Sequence, residues 1–304
     1  MSFSRFDKYM YAEGKFTKMR LISKIKSTAF SLFQHYQTKK QKFDLSNVNN
    51  LFFDFQNLKY ADEIDVVEIF NSPKITKIWE YERNAVEKFG IPDGTGGVNP
   101  GDRRALFYLI AAFKPKSVLE IGTHIGASTV NLAAALSAVH SKDIPKLVSV
   151  DLRSVNCTKS KPWLKFGSRV SPEEMIKSLG LKIDVEFITS SSFQYASNTK
   201  ERFDFIFLDG DHSAKNIYQE IHHVLPLLKP NSVLVMHDYS PDGKSLWLDR
   251  KLMSGPFLAV DRIKSEEASL MVAALGELPW PTKKGSNATS LALFLASKKE
   301  QTLK

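Results

Sequence analysis

The sequence has almost no cysteine and no long apolar run, and each absence excludes a class of protein. Cys157 is the single cysteine of the 304 residues, which excludes an intrachain disulfide. A reducing, cytoplasmic location is therefore the simplest expectation. No apolar run approaches the ~20 residues that span a bilayer, and the chain does not start with the apolar core of a secretory signal. We expect a globular protein without a transmembrane helix.

Acidic residues are scarce at the start of the chain. Residues 1–44 contain ten lysines and arginines but three acids, so they carry +7 of the net charge of +9. A basic arm on a nearly neutral body suggests an anionic partner, such as a membrane surface, a nucleic acid or an acidic substrate. A solvated basic helix is the alternative. Apolar residues along one face of residues 21–36 predict a helix that lies on a membrane or packs on the body.

The chain divides into three segments by composition. Residues 1–89 are predicted to form a basic helical extension, residues 90–297 an α/β domain and residues 298–304 a disordered tail. Glycine and proline dominate residues 90–101, which indicates a loop or lid. Asp102 is expected to cap a helix that runs to about Phe113.

Short apolar runs alternate with helical stretches after residue 114. The predicted strands are residues 117–121, 147–150, 185–189, 203–208, 232–236, 270–275 and 290–296. Helices are predicted at residues 128–140, 172–179, 214–228 and 257–265. Near-continuous apolar strands separated by helices indicate a doubly wound, mostly parallel seven-stranded sheet, a Rossmann-like fold. The last two strands have no long helix between them and suit an antiparallel edge pair.

Ligands of such a sheet bind beyond the carboxyl ends of its strands. The first strand ends at Glu120, and Gly122 and Gly126 follow before a helix. Glycines let a cofactor approach the backbone, and the start of the helix offers free N–H groups. The spacing is not that of the dinucleotide fingerprint, because Thr123 and His124 stand where a second glycine is required. A nicotinamide-dependent dehydrogenase is therefore excluded.

This turn resembles the first motif of class I methyltransferases, with a form similar to catechol O-methyltransferase-like and macrolide sugar O-methyltransferase enzymes. The resemblance covers roughly residues 90–297 and implies S-adenosylmethionine as the cofactor. The order of several motifs along the chain makes it specific. The residues expected to bind the cofactor are Glu120, Gly122, Thr123, Gly126, Ser128, Asp151, Ser191, Ser192 and Asp209.

An acid ends the second strand, 31 residues after Glu120. This acid, Asp151, can accept hydrogen bonds from both ribose hydroxyls of a nucleoside. A turn or capping aspartate is the alternative. After the third strand, the family often has an acid that contacts the adenine amine. Ser191 replaces that acid here, and Ser192 keeps the serine of the family.

The fourth and fifth strands bring ionisable side chains to one rim of the sheet. Methyl transfer to a hydroxyl needs a base or a metal, because a neutral hydroxyl is a poor nucleophile. The resemblance places Asp209, His237 and Asp238 at the metal-ligand positions of metal-dependent O-methyltransferases. It places His212 at the position of the general base, so His212 and Asp209 are the predicted catalytic residues.

His237 departs from the family, which usually has a carboxylate at that position. Mg²⁺ prefers oxygen ligands, whereas an imidazole suits Mn²⁺ or Zn²⁺ better. Three alternatives follow: the metal differs, the site binds metal weakly, or His237 works without a metal as a second acid or base. Magnesium or manganese is the expected metal if one is used.

The sequence therefore predicts an S-adenosylmethionine-dependent O-methyltransferase that acts on a small molecule or a sugar, with a homodimer as one possible assembly. A nucleic-acid methyltransferase that uses the basic arm is one alternative. It lacks support in the fourth strand, which ends Asp209-Gly-Asp instead of the Asn/Asp-Pro-Pro-aromatic signature of amino-methylating enzymes. A non-catalytic cofactor-binding module is the other alternative. The expected location is cytoplasmic, with peripheral membrane contact through the N-terminus.

Overall fold

The structure is a computed structural model that describes residues 28–267 and 269–297. The first 27 residues, which carry much of the basic arm, and the predicted tail at residues 298–304 lie outside the described residues. Expectations for those two segments stay predictions. Within the described ranges, no helix combines the length and the apolar character that crossing a bilayer requires.

A single seven-stranded sheet organises the fold. Its strands are β1 Ser117–Ile121, β2 Lys146–Asp151, β3 Asp184–Thr189, β4 Phe203–Leu208, β5 Leu228–Met236, β6 Leu270–Ala274 and β7 Ala292–Ala296. Their order across the sheet is β3-β2-β1-β4-β5-β7-β6. The first five strands are parallel, whereas β7 pairs antiparallel with β5 and β6. The predicted mostly parallel sheet with an antiparallel edge is confirmed.

Nine helices surround the sheet in the parts of the chain that the structure describes. They are α1 over residues 28–46, α2 Val66–Asn71, α3 Pro73–Glu87, α4 Pro100–Phe113, α5 Ala127–Val139, α6 Pro172–Leu179, α7 Ser192–Asn198, α8 Ala214–Val224 and α9 Ser254–Glu266. Short 3₁₀ turns join some of them. The predicted N-terminal helices are present. The short α7 was not predicted, because its seven residues hold too few apolar side chains to show a helical period.

Alternate residues of each strand face opposite sides of the sheet. Val118 and Phe205 lie in the hydrophobic cluster that α4 and α5 cover, whereas Leu119 and Ile206 lie in the cluster that α8 and α9 cover. Helices therefore bury both faces of the sheet, which explains why its central strands are almost continuously apolar.

The helices before residue 90 pack against the domain. Phe70 of α2 and Ile75 and Trp79 of α3 belong to the same buried cluster as α4 and α5. On the other face, Leu45 at the end of α1 and Phe53 join the cluster of α8 and α9. The described part of the N-terminal segment thus completes both hydrophobic layers.

The predicted cap of α4 is wrong. The N-cap is Asn99, whose Oδ1 accepts the Asp102 N–H at 3.0 Å. Pro100 occupies the first helical turn, where its missing N–H costs nothing. Asp102 therefore lies inside the first turn, where it is fully buried. Its carboxylate accepts a hydrogen bond from Asn99 Nδ2 at 2.6 Å and also lies 3.3 Å from both His237 and Ser290 at the edge of the sheet.

Candidate active site

A cavity of about 410 Å³ lies beyond the carboxyl ends of the central strands. It occupies the edge where the strand order reverses between β1 and β4, which is the expected ligand position in a doubly wound sheet. Its walls come from the turns after β1, β2, β3 and β4. They include five of the predicted cofactor residues: Gly122, Asp151, Ser191, Ser192 and Asp209.

The turn after β1 needs glycine at two positions. Gly122 has a φ of 100°, and a side chain there would collide with the backbone carbonyl of Asp209. Gly126 has a φ of 79°, and a Cβ atom would come within 2.9 Å of Pro172. Gly122 thus allows close contact between the ends of two strands, whereas Gly126 fixes the approach of α6 to the start of α5.

Glu120 lies below the cavity instead of in its wall. Its carboxylate is fully buried and accepts hydrogen bonds from Ser128 at 2.5 Å, Thr129 at 2.6 Å and Ser149 at 2.6 Å. Burial raises the pKa of the Glu120 carboxyl to about 7, although the three hydroxyl groups act to lower it. Thr123 extends this network through its 2.6 Å hydrogen bond with Ser149. Of the predicted cofactor residues, Glu120, Thr123 and Ser128 therefore form a buried support for the turn.

Asp151 faces the cavity, and its carboxylate already accepts hydrogen bonds from neighbouring groups. The backbone N–H groups of His124 and Arg153 donate to its two oxygens at 2.8 Å each. The Arg153 guanidinium adds bonds of 3.2 Å and 3.3 Å and also contacts His124 Nδ1 at 3.1 Å. A ligand that bonds to the Asp151 carboxylate would have to share it with the half-exposed Arg153 or displace that side chain.

The turn after β3 offers hydroxyl groups at the far end of the cavity. The Ser191 side chain caps α7 by accepting the Gln194 N–H at 3.2 Å. The side chain of Ser192 hydrogen-bonds to Glu220 of α8, which also lines the cavity. Burial raises the pKa of the Glu220 carboxyl to about 7, and nearby Asp211 and Asp209 act in the same direction.

Five ionisable side chains meet beside the cavity, and we call this group the rim: Asp102, Asp209, His212, His237 and Asp238. Within it, the imidazole of His237 is enclosed by three carboxylates. Its Nδ1 lies 2.9 Å from Asp209 and 3.5 Å from Asp238, and its Nε2 lies 3.3 Å from Asp102. Burial lowers the pKa of the His237 imidazole. The carboxylates outweigh burial, so the net effect raises this pKa well above its usual value. The raised pKa favours the protonated form of the His237 imidazole, which can pair with the carboxylates around it.

His212 lies on the open side of the same rim. Its Nδ1 is 3.6 Å from Asp238 Oδ2, and about a third of its side chain is exposed. Asp238 has a φ of 56°, an uncommon conformation for a residue with a side chain, and this turns its carboxylate between the two imidazoles. The rim thus pairs an accessible imidazole with a buried, charged one.

A possible cation site shares these residues. One donor atom each from Asp209, His212 and Asp238 lies within 4.8 Å of the others. Two carboxylates and an imidazole suit Mn²⁺ or a similar divalent ion. Of the predicted metal ligands, the structure brings Asp209 and Asp238 together in this group. His237 is placed behind them, hydrogen-bonded to Asp209 and within ion-pair distance of Asp238.

Sequence reasoning missed three residues of the site: Asp102, Arg153 and Glu220. Asp102 was assigned to a helix cap, and the 135 residues that separate it from His237 carry no signal of contact. Arg153 follows Asp151 by two residues, a spacing that was available as a clue. Glu220 is an acid on the buried side of an amphipathic helix, which is uncommon enough to mark it as a candidate.

Residues 119–239 match the family model described as a methyltransferase domain. The matched segment begins within β1 and ends directly after Asp238. It therefore contains four of the turns that form the cavity and both imidazoles of the rim. A comparison with curated protein sequences found no match.

Several solved structures are similar to this chain. The O-methyltransferase TomG from Streptomyces achromogenes, involved in tomaymycin synthesis and solved with SAM, is 16% identical, and the alignment covers 75% of this chain and 91% of that chain with a TM-score of 0.45. The methyltransferase PaMTH1 of Podospora anserina, solved with SAH, is 18% identical over 82% of this chain and 99% of that chain, with a TM-score of 0.48. The O-methyltransferase of Bacillus cereus, in complex with SAH, is 20% identical over 76% of this chain and 94% of that chain, with a TM-score of 0.45.

Proposed function

We propose that the protein transfers a methyl group from S-adenosylmethionine to a hydroxyl oxygen of a small molecule or sugar, on the basis that residues 119–239 match the family model described as a methyltransferase domain. The observation that carries the proposal is that the family match includes every residue that lines the cavity except Gly96, and every residue of the rim beside it except Asp102. The cavity provides space for a nucleoside cofactor, and the rim provides a group that can take a proton.

The turns after β1, β2 and β3 would hold the cofactor. Gly122 would let it approach the backbone, and Asp151 would accept hydrogen bonds from the ribose hydroxyls in place of those that it now accepts from the Arg153 guanidinium. Ser191 and Ser192 stand at the adenine end. Asp151 is held by two backbone N–H groups, so its carboxylate keeps its position when the guanidinium leaves.

In the chemical step, the acceptor oxygen attacks the methyl carbon of the sulfonium. The carbon–sulfur bond breaks with its electron pair on sulfur, which leaves S-adenosylhomocysteine. The hydroxyl proton goes to His212, whose Nε2 is available because its Nδ1 faces Asp238. Alignment of the oxygen with the carbon–sulfur bond provides much of the remaining rate.

A divalent cation, where one is bound, would be held by Asp209, Asp238 and an imidazole nitrogen of His212, and it would lower the pKa of the acceptor hydroxyl. The charged His237 already supplies a cation beside both carboxylates. We therefore expect activity to survive dialysis against a chelator. Loss of activity after dialysis, followed by recovery on addition of Mn²⁺, would contradict this expectation.

Calorimetric titration of S-adenosylhomocysteine into the purified protein tests the cofactor assignment. We expect saturable binding by the native chain, at least tenfold weaker binding by Asp151→Ala and no binding of NAD. The matched control is Asp143→Ala, which removes an exposed carboxylate far from the cavity. A folded protein that does not bind S-adenosylhomocysteine overturns the proposal.

A further inference from the structure

Helix α1 exposes a row of large apolar side chains. Its exposed apolar residues have relative exposures between 37% and 66%, and they are Phe30, Leu32, Phe33, Tyr36 and Phe43. Exposed aromatic residues that cluster on one element of a soluble protein usually mark a contact surface. We call this set the α1 apolar face.

The residues of this face lie on one side of the helix. At about 100° per residue, Leu32, Tyr36 and Phe43 fall within a narrow arc, and Phe33 lies on the next row. Phe30 lies outside this arc, close to the row of Gln41, and is the least exposed of the set. The arrangement is therefore a continuous stripe along the helix instead of a scatter of single exposed residues.

The other side of α1 is fixed to the body of the protein near its carboxyl end. The Gln41 side chain accepts the backbone N–H of Ala214 at 2.9 Å. Leu45 is buried in the core, and its backbone carbonyl accepts a hydrogen bond of 2.6 Å from the Arg262 guanidinium. Because these contacts anchor the helix, its apolar face cannot simply fold back onto the sheet.

The charge of the segment favours an anionic surface. Residues 28–43 contain Lys39, Lys40 and Lys42 and no acid, and residues 1–44 carry +7. The lysines stand near the carboxyl end of α1, where Lys39 and Lys40 fall on either side of the narrow arc of Leu32, Tyr36 and Phe43. Apolar residues on one face with basic residues beside them are the pattern of a helix that lies in a membrane interface. A second copy of the chain is disfavoured as the occupant, because pairing two such helices would bring like charges together.

We propose that α1 is an interfacial helix that docks the protein on a membrane with anionic headgroups. Its apolar face enters the boundary between headgroups and acyl chains, while the lysines contact lipid phosphates. This docking is independent of the proposed methyl transfer, since neither the apolar face nor the lysines belong to the cavity.

Flotation of the full chain with vesicles tests the proposal. We expect binding to vesicles of phosphatidylcholine with phosphatidylglycerol and little binding to phosphatidylcholine alone. The K39Q/K40Q variant is expected to lower the partition coefficient by roughly 25-fold, at about fivefold per lysine. The F33S/Y36S variant is expected to lower it by about tenfold or more. Binding of the native chain should weaken as salt is raised.

Two matched variants serve as controls. Tyr81→Ser removes an aromatic side chain on α3 that is 84% exposed, and Lys142→Gln removes an exposed charge away from α1. Neither is expected to change vesicle binding. Circular dichroism establishes that every variant is folded, which the exposure of all substituted side chains favours.

Three results overturn the proposal. The first is a folded native chain that does not float with anionic vesicles. The second is binding that both α1 variants leave unchanged. The third is a native chain that does not bind vesicles and contacts another partner through α1. A dimer that is lost in F33S/Y36S would identify a second copy of the chain as that partner. Binding of a single-stranded RNA oligomer that is lost in K39Q/K40Q would identify nucleic acid.

Discussion

Glu120 and Asp209 lie at the ends of neighbouring strands, but their carboxyl groups have different partners. Glu120 accepts from three hydroxyl groups in a fully buried position, whereas Asp209 faces the charged imidazole of His237. Burial without a cation favours the neutral acid at Glu120. The two acids therefore perform different tasks: Glu120 supports the turn, and Asp209 belongs to the rim.

Substitution of His212 tests its role as the base. We expect His212→Ala to lower kcat by about a hundredfold to ten-thousandfold, because a positioned general base contributes that much. Binding of S-adenosylhomocysteine should be unchanged. The control is His140→Ala, which lies at the opposite edge of the sheet and contacts the Pro115 carbonyl. Full activity of His212→Ala would remove the proposed role.

The buried Glu120 carboxyl makes stability depend on pH. Its pKa is raised from 4.5 to about 7 on folding, so the folded state binds more protons than the unfolded state between those values. Its contribution to stability is complete below about pH 4.5 and is lost as the pH rises through about 7. Glu220 acts in the same direction.

Urea unfolding between about pH 5 and pH 8 measures this effect. We expect the free energy of unfolding of the native chain to fall more steeply over that range than that of Glu120→Gln. The exposed Glu277→Gln variant should follow the native curve. Parallel curves for Glu120→Gln and the native chain would show that burial does not hold a proton on Glu120.

At the scale of elements, the turn between β1 and α5 depends on its backbone. Gly122→Ala combines a φ of 100° with a collision against the Asp209 carbonyl. We expect it to lower the free energy of unfolding by about 2 kcal/mol or more. Gly285→Ala is the control, since its φ of 76° is also positive and unfavourable for alanine but no atom lies within 4 Å. It should cost about 1 kcal/mol, and equal losses for both variants would contradict the close contact.

Helix α4 supplies one carboxylate of the rim from outside the sheet. Removal of Asp102 leaves the charge of buried His237 less compensated, so Asp102→Ala should destabilise the protein by about 3 kcal/mol. Asp143→Ala breaks an exposed ion pair with Lys116 and should cost under about 1 kcal/mol. Chemical denaturation compares the two. A small loss of stability in Asp102→Ala would mean that the carboxylates of Asp209 and Asp238 alone compensate the charge of His237.

For the whole molecule, patterns in short stretches of sequence predicted the features that depend only on residues close together in the chain. Strands β1 and β4 were predicted with their observed bounds, because runs such as residues 203–208 are continuously apolar between polar turns. The turn glycines and Asp151 could also be predicted, because they come at the end of recognisable strands or directly after them. The ring of carboxylates around His237 could not be predicted, since α4 approaches it only after the layers have packed.

The contact between Asp102 and His237 also has a consequence for folding kinetics. It joins positions 135 residues apart, and closing a loop of that length is slow compared with forming a helix or a local turn. Pairing of β4 with β5 places His237 beside Asp209, but the rim lacks the Asp102 carboxylate until α4 has packed. During refolding in the presence of S-adenosylhomocysteine, helical circular dichroism should therefore recover before the rim is complete. A newly made chain would then be folded for an interval before it is competent for catalysis.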